Sequence, residues 1–349
     1  MNNALRRKSN IELLRIILMM MVIVLHFNIP SGHAIELTSS IPLNQNILYL
    51  LESFCICAVN TFVLITGFFN CYSSKSTLSK AFLLILQVSI YNVITYLLIV
   101  LTGTATFSIS QFIIHALPNS WFTSIYIALY LLAPYINNVI HGLSQGSFKI
   151  LLIICFVLFS LEPLFLCILE DYLGWQTSGL SSISIAGAGN GYTLIHFIFM
   201  YLIGAYIRIH TFKLKINPVF LYTIFTAFIF IGYKASYGYS EIFYDYCNPF
   251  IVLQTIALFL SFNRLNISFI RPINILSKHT FSVYLLHSHF YILFDIPTIV
   301  TGSPIRMFTM IILICVTLYI ISWIIACIYT SITKPLYSFF SKHDYTIKI

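Results

Sequence analysis

The first apolar stretch of the chain carries an arginine and a histidine where both are expensive: Arg15, then ten residues, then His26. In lipid an ionisable side chain has no water to solvate it, so one held there is a candidate for function. Eleven positions on an α-helix fall within about 20° of three whole turns and rise about 16 Å. Arg15 and His26 therefore share one face, with Arg15 near one membrane surface and His26 in the opposite half. Glu12 precedes Arg15 by three residues and can pair with it there. Taken singly, Arg15 reads as a snorkelling interfacial anchor and His26 as one partner of an interhelical hydrogen bond. Together on one face they point to a site. Its chemistry would be proton transfer by an imidazole that a carboxylate orients. Three acids lie at suitable depth: Glu52, Glu162 and Asp295. For each alone, local hydrogen bonding near the interface is the simpler reading.

A second cluster comes late, in Ser282-Val283-Tyr284-Leu-Leu-His287-Ser288-His289. Tyr284 and His287 sit at i, i+3 and share a helix face. His287 and His289 are about 200° apart on a helix, so a joint metal site is not expected. Trp121 opens another apolar stretch, with Tyr126 and Tyr130 following. An interfacial aromatic belt explains them; an aromatic-lined cavity for a sugar is the alternative.

The elements that must position these groups are membrane spans. The chain has 349 residues, 59% hydrophobic and 8% charged, with mean hydropathy +0.92. Soluble domains carry about 25% charged residues, so lipid must be the outer solvent. Apolar runs predict ten spanning helices, near 11–29, 47–69, 80–101, 120–140, 149–168, 192–209, 216–233, 249–263, 279–297 and 307–332. The run near 249–263 is the shortest. Positive charge orients them. With both ends cytoplasmic, sixteen of the 18 Lys and Arg fall on the inner side, and only Lys234 and Arg306 on the outer. Arg6, Arg7 and Lys8 before the first run read as a retained signal anchor. The net charge of +8 thus reflects topology and not nucleic-acid binding. The longer outer loops, near 30–46, 102–119, 170–191 and 234–248, hold turn residues. Gly187-Ala188-Gly189-Asn190-Gly191 follows no strand and reads as loop. The eight cysteines, Cys55 and Cys57 included, read as packing residues, with no disulfide framework or zinc spacing. No soluble domain and no internal repeat is expected, so 1–349 reads as a single integral-membrane domain.

At these residues the chain resembles the acyltransferase 3 family of membrane acyltransferases. Glu12-Leu-Leu-Arg15 to His26 is similar to that family's Arg, ten residues, His signature. Asn60 to Phe69, with Thr66-Gly67-Phe68, resembles its second-span end, where Ser often stands in place of Thr66. Trp121-Phe122 with Tyr130 and Pro134, Gly204-Ala-Tyr-Ile-Arg208, and Ser282-x-Tyr284-x-x-His287 resemble three later motifs, in order. The loop from Asn70 to Lys80 departs from the family's Arg-rich segment in having lysines only.

The resemblance implies transfer of an acyl group, usually acetyl, from coenzyme A to a hydroxyl of a cell-surface or lipid-linked carbohydrate. It implies His26 as general base or transient acyl carrier, with Glu52 as its acid partner. Arg15, Lys75 and Lys80 would hold the phosphates of acetyl-CoA, and Trp121, Tyr284 and His287 would line the substrate path. No metal and no nucleic acid is expected. The expected partners are membrane lipid and the glycan acceptor, with a homo-oligomer compatible, in a bacterial plasma membrane. Two other classes fit mid-membrane polar groups: a transporter or flippase for glycans or lipid-linked sugars, and a scaffold in polysaccharide assembly.

Overall fold

The computed structural model describes residues 9–103, 105–177, 179–181, 189–236, 241–342 and 346–348. Arg6, Arg7, Lys8 and the first two residues of the Gly187–Gly191 run lie outside them. The chain is 78% helical with almost no sheet. Where no water reaches the backbone, each N–H and C=O must be paired within its own segment, and a helix does that. In chain order the helices are α1 (Ser9–Asn28), α2 (Ala34–Leu37), α3 (Pro42–Cys55), α4 (Ala58–Asn70), α5 (Leu78–Leu101), α6 (Ile109–Ala116), α7 (Trp121–His141), α8 (Gln145–Phe156), α9 (Glu162–Leu173), α10 (Leu194–Ile209), α11 (Pro218–Ala235), α12 (Pro249–Asn263), α13 (Arg271–Ser277), α14 (Thr280–Leu286), α15 (Ile296–Val300) and α16 (Pro304–Lys342). Local sequence sets several starts. Asn217 and Asn248 each accept a hydrogen bond from the N–H two residues on, and each precedes a proline in the first turn.

Among the described residues, eight helical stretches are long and apolar enough to cross a membrane. The run near 249–263 gains length from the turn before it and becomes Ile242–Asn263. Two expected spans differ. The one near 192–209 is α10, apolar but only 16 residues long. The one over 279–297 is no continuous helix: α14 gives way to a 3-10 segment, His287–Leu293, and then α15. The Asp295 carboxylate accepts from the Thr298 N–H and Pro297 enters the first turn, so α15 starts afresh. Asp295 is thus a helix cap at an exposed position.

The chain divides into two compact units. The first holds the described residues up to Phe69 and Gln145–Ala326. Within it α1 packs against α3, α12, α13 and α14, burying Leu14, Leu18, Met19, Ile23 and Phe27. Lipid tails are as apolar as leucine, so close fit and polar latches must hold the helices. Asn10 Nδ2 donates to the Phe262 and Leu265 carbonyls at 3.1 and 3.2 Å. The Ser9 hydroxyl accepts from the Ile270 N–H at 2.7 Å. Toward the other end, the Tyr291 hydroxyl donates to the Ile23 carbonyl at 2.5 Å. Asn44 Nδ2 donates to the Val300 and Gly302 carbonyls at 2.7 and 2.9 Å.

Helices α4 and α10 meet backbone to backbone. A Cβ at Gly67 would overlap the Tyr201 carbonyl, and one at Gly204 would overlap the Leu64 carbonyl. Arg208, one turn on, sits over the Phe68 ring at 5.1 Å. Asn60 and His196 add a polar tie to this pair: His196 Nε2 donates to Asn60 Oδ1 at 3.0 Å, and Asn60 Nδ2 donates to the Tyr246 carbonyl at 2.8 Å.

The second unit holds Asn70–Ser144 and the chain from Cys327 onward. Residues Lys75–Thr77 pair antiparallel with Thr346–Lys348, Ser76 opposite Ile347. The segment before α5 is latched to α7: Asn137 Nδ2 donates to the Asn70 and Ser73 carbonyls, and the Thr77 N–H donates to the Tyr130 hydroxyl at 2.9 Å.

Candidate active site

Helix α1 runs unbroken from Ser9 to Asn28, so Arg15 and His26 ride on one rod. Arg15 lies 3.7 Å from the Glu12 carboxylate and remains 24% exposed. Glu12 is buried and also accepts from the Ser277 hydroxyl at 2.7 Å. One carboxylate therefore orients the arginine and ties α1 to α13. The guanidinium stands 5.9 Å from the Phe69 ring centroid.

His26 meets His287. His26 Nδ1 and His287 Nε2 are 3.0 Å apart, and the rings are 4.7 Å apart, tilted by 36°. His287 is fully buried, and its Nδ1 lies 3.0 Å from the Val283 carbonyl oxygen. A carbonyl only accepts, so the neutral His287 carries its proton on Nδ1. Its Nε2 is then a bare acceptor, and His26 must donate to it from Nδ1. The network in turn leaves His26 Nε2 without a proton. One backbone carbonyl thus dictates, through two rings, which nitrogen of His26 can act as a base.

The expected carboxylate partner of His26 is not the one observed. Among the described residues no acid bonds the His26 ring. Glu52 is buried and accepts from Asn28 Nδ2 at 2.8 Å, and that amide also donates to the Leu48 carbonyl. Asn28 lies two residues beyond His26, about 200° around the helix, so Glu52 grips α1 on another face. Glu162 begins α9 after a π-helical turn. Tyr284 shares the face of His287, ring centroids 6.3 Å apart.

Lys75, Lys80 and Trp121 belong to the second unit. Lys75 is exposed in the short strand. The Lys80 ammonium sits over the Tyr130 ring at 4.4 Å. Trp121 opens α7, 39% exposed, edge-on to Phe122. No group of three or more His, Cys, Asp or Glu is arranged to hold a metal among the described residues. Asn28, Ser277 and Val283 drew no attention in the sequence. Asn28 carried a usable signal, an amide at the end of an apolar run; a backbone carbonyl carries none.

Next along the chain from this pair, in the first unit, lies an open cavity of about 1220 Å³, lined by Ser31, His33, Glu36, Ser288, His289 and Tyr291 among others and not by His26 or His287 themselves. The chain reaches it directly from both histidines. Ser288 follows His287, and the Ser31 and Gly32 N–H groups fold back onto the His26 carbonyl. Its lining mixes hydroxyl, imidazole and carboxylate residues with Tyr291 and Phe294.

Comparison with curated proteins and with solved structures finds no match. A family model described as an acyltransferase domain does match, over residues 8–327. That range takes in α1 with Arg15 and His26, the Gly67 and Gly204 crossing, and His287, and by it the chain belongs to the acyltransferase 3 family and is a multi-pass membrane acyltransferase.

Proposed function

We propose that this protein transfers an acetyl group from acetyl-CoA to a hydroxyl of a cell-surface or lipid-linked carbohydrate. The observation that carries this is the Val283–His287–His26 chain of hydrogen bonds. A sugar hydroxyl is a poor nucleophile and needs a base as it attacks. His26 Nε2 takes the hydroxyl proton while the hydroxyl oxygen bonds the thioester carbonyl carbon. His26 is then an imidazolium whose Nδ1–H stays donated to His287. As the carbon–sulfur bond breaks, His26 returns its proton from Nε2 to the departing thiolate. His287 acts as a positioning residue, holding the tautomer and the ring.

Arg15 is the group on this chain suited to the donor's phosphates. It is partly exposed, held by Glu12, and about 16 Å along the helix from His26. Charge-assisted bonds to phosphate are worth about 1.5–3 kcal/mol. Arg15→Ala should therefore raise KM for acetyl-CoA by about tenfold or more and leave KM for the acceptor unmoved. Equal donor KM values in wild type and variant would remove Arg15 from donor binding. The cavity beside His287 supports a carbohydrate acceptor, because sugars are held by hydrogen bonds around the ring and by aromatic faces against it.

Ten crossings with both ends cytoplasmic remain the topology we favour. Ser9 and Asn10 bond residues at and beyond the end of α12, which supports an even number of crossings between those segments. Seven long apolar stretches lie between them, and α10 supplies the eighth. The Asn44 latch to Val300 and Gly302 supports a crossing by the broken segment from α14 to α15. The Lys- and Arg-rich segments then face the cytoplasm.

The decisive experiment follows radiolabelled acetyl from acetyl-CoA into glycans of membranes that contain the protein. Label held in an alkali-labile ester supports the reading. Acetyl-CoA left intact while unmodified glycan moves across the membrane would favour a transporter instead.

A further inference from the structure

The second unit contains a recess to which the proposed acyl transfer assigns no role. Its volume is about 660 Å³, and its walls come from the first turns of α5 and the last turns of α16. Lys80 and Lys334 line it, together with Thr77, Tyr337, Leu83 and Leu84. Among the described residues no carboxylate lines it. The N-terminal end of α5 adds partial positive charge from its backbone dipoles. Beside the recess, Leu78 and Phe82 of α5 and Leu336 and Phe339 of α16 are exposed. Outside a membrane that apolar surface would be a liability; inside one it faces acyl chains.

We propose that this recess binds the headgroup of an anionic phospholipid, with Lys80 and Lys334 on the phosphate and the acyl chains over the exposed apolar faces of α5 and α16. The ligand must be anionic where the lysines stand and apolar just beyond them, and hydroxyls must be acceptable at the boundary. A phospholipid is built in that order. A nucleotide is not, since its base wants a flat slot, whereas the walls further along α5 are Leu83, Leu84 and Gln87. In the ten-span topology both lysines lie at the cytoplasmic surface, where anionic lipids concentrate and each basic group gains from them. The assignment gives Lys80 to a lipid in place of the acyl donor's phosphates. It does not depend on the identity of the acceptor.

The test is native mass spectrometry of the purified full-length protein with phosphatidylglycerol or phosphatidylcholine added. Wild type should retain phosphatidylglycerol in preference to phosphatidylcholine. The double variant Lys80→Gln, Lys334→Gln should bind it on the order of tenfold more weakly, while Lys80→Arg, Lys334→Arg should retain it. Removing the same charge elsewhere, with Lys149→Gln and Lys213→Gln, should leave retention at the wild-type level. Equal retention of the two lipids, or equal retention by the Gln and wild-type proteins, would overturn the site. Displacement of phosphatidylglycerol by acetyl-CoA would also overturn it, giving the recess to the donor. The readout is bound lipid mass, so loss of acyl transfer leaves it unaffected.

Discussion

Alanine at position 26 should cut acyl transfer by about 10²–10⁴-fold, the range a positioned general base contributes, with membrane levels of the protein unchanged. His26 stands near the end of α1, and among the described residues its side chain bonds His287 alone, so truncation spares the apolar stripe that packs the helix. The companion variant separates base from positioner. His287→Ala should lower kcat by about 10–100-fold, as loss of an orienting partner does, with little change in KM. Without His287 Nε2 to accept, His26 can place its proton on Nε2, and that fraction of molecules has no base. His287→Gln, whose amide oxygen stands near the lost Nε2, should recover part of the rate. Full activity in His26→Ala would remove the proposed chemistry. A His287→Gln protein no better than His287→Ala would show that packing, and not the acceptor atom, was what mattered.

The second large effect concerns the α4–α10 crossing. Gly67→Ala and Gly204→Ala should each destabilise the protein by about 3 kcal/mol or more, beyond the middle of the 1–3 kcal/mol range for overpacking. The reason is what the new methyl meets: a backbone carbonyl in each case, which cannot swing aside as a side chain does. Separating the helices would also pull His196 from Asn60 and Arg208 from Phe68. Domains hold about 5–15 kcal/mol in all, so each variant should lose much of its monodisperse peak after heating in detergent. Wild-type melting of both would mean the two backbones do not meet there.

Much of the site was legible because helix geometry is local. The face shared by Arg15 and His26, and by Tyr284 and His287, follows from 3.6 residues per turn wherever the segment is helical. The pairing of Glu12 with Arg15 is of the same kind, since three positions bring them together. Reading an unbroken helix through 279–297 failed for a definite reason. Apolar content says that a segment can lie in lipid, but the Asp295 cap and Pro297 decide that a new helix starts. The proposed carboxylate for His26 went astray similarly. Depth along a helix was readable, but direction around it was not, and Glu52 faces Asn28.

By itself, then, the sequence determined that the chain is a helical membrane protein, that α1 carries a cation and an imidazole on one face, and that its motifs are those of an acyltransferase. Only the tertiary structure decided that His26 pairs with His287, 261 residues away, and that Val283 sets the tautomer of both. It alone decided that Gly67 and Gly204 mark one crossing. Periodicity is a property of neighbours three and four apart, whereas a hydrogen bond between distant helices exists only once packing has placed both backbones.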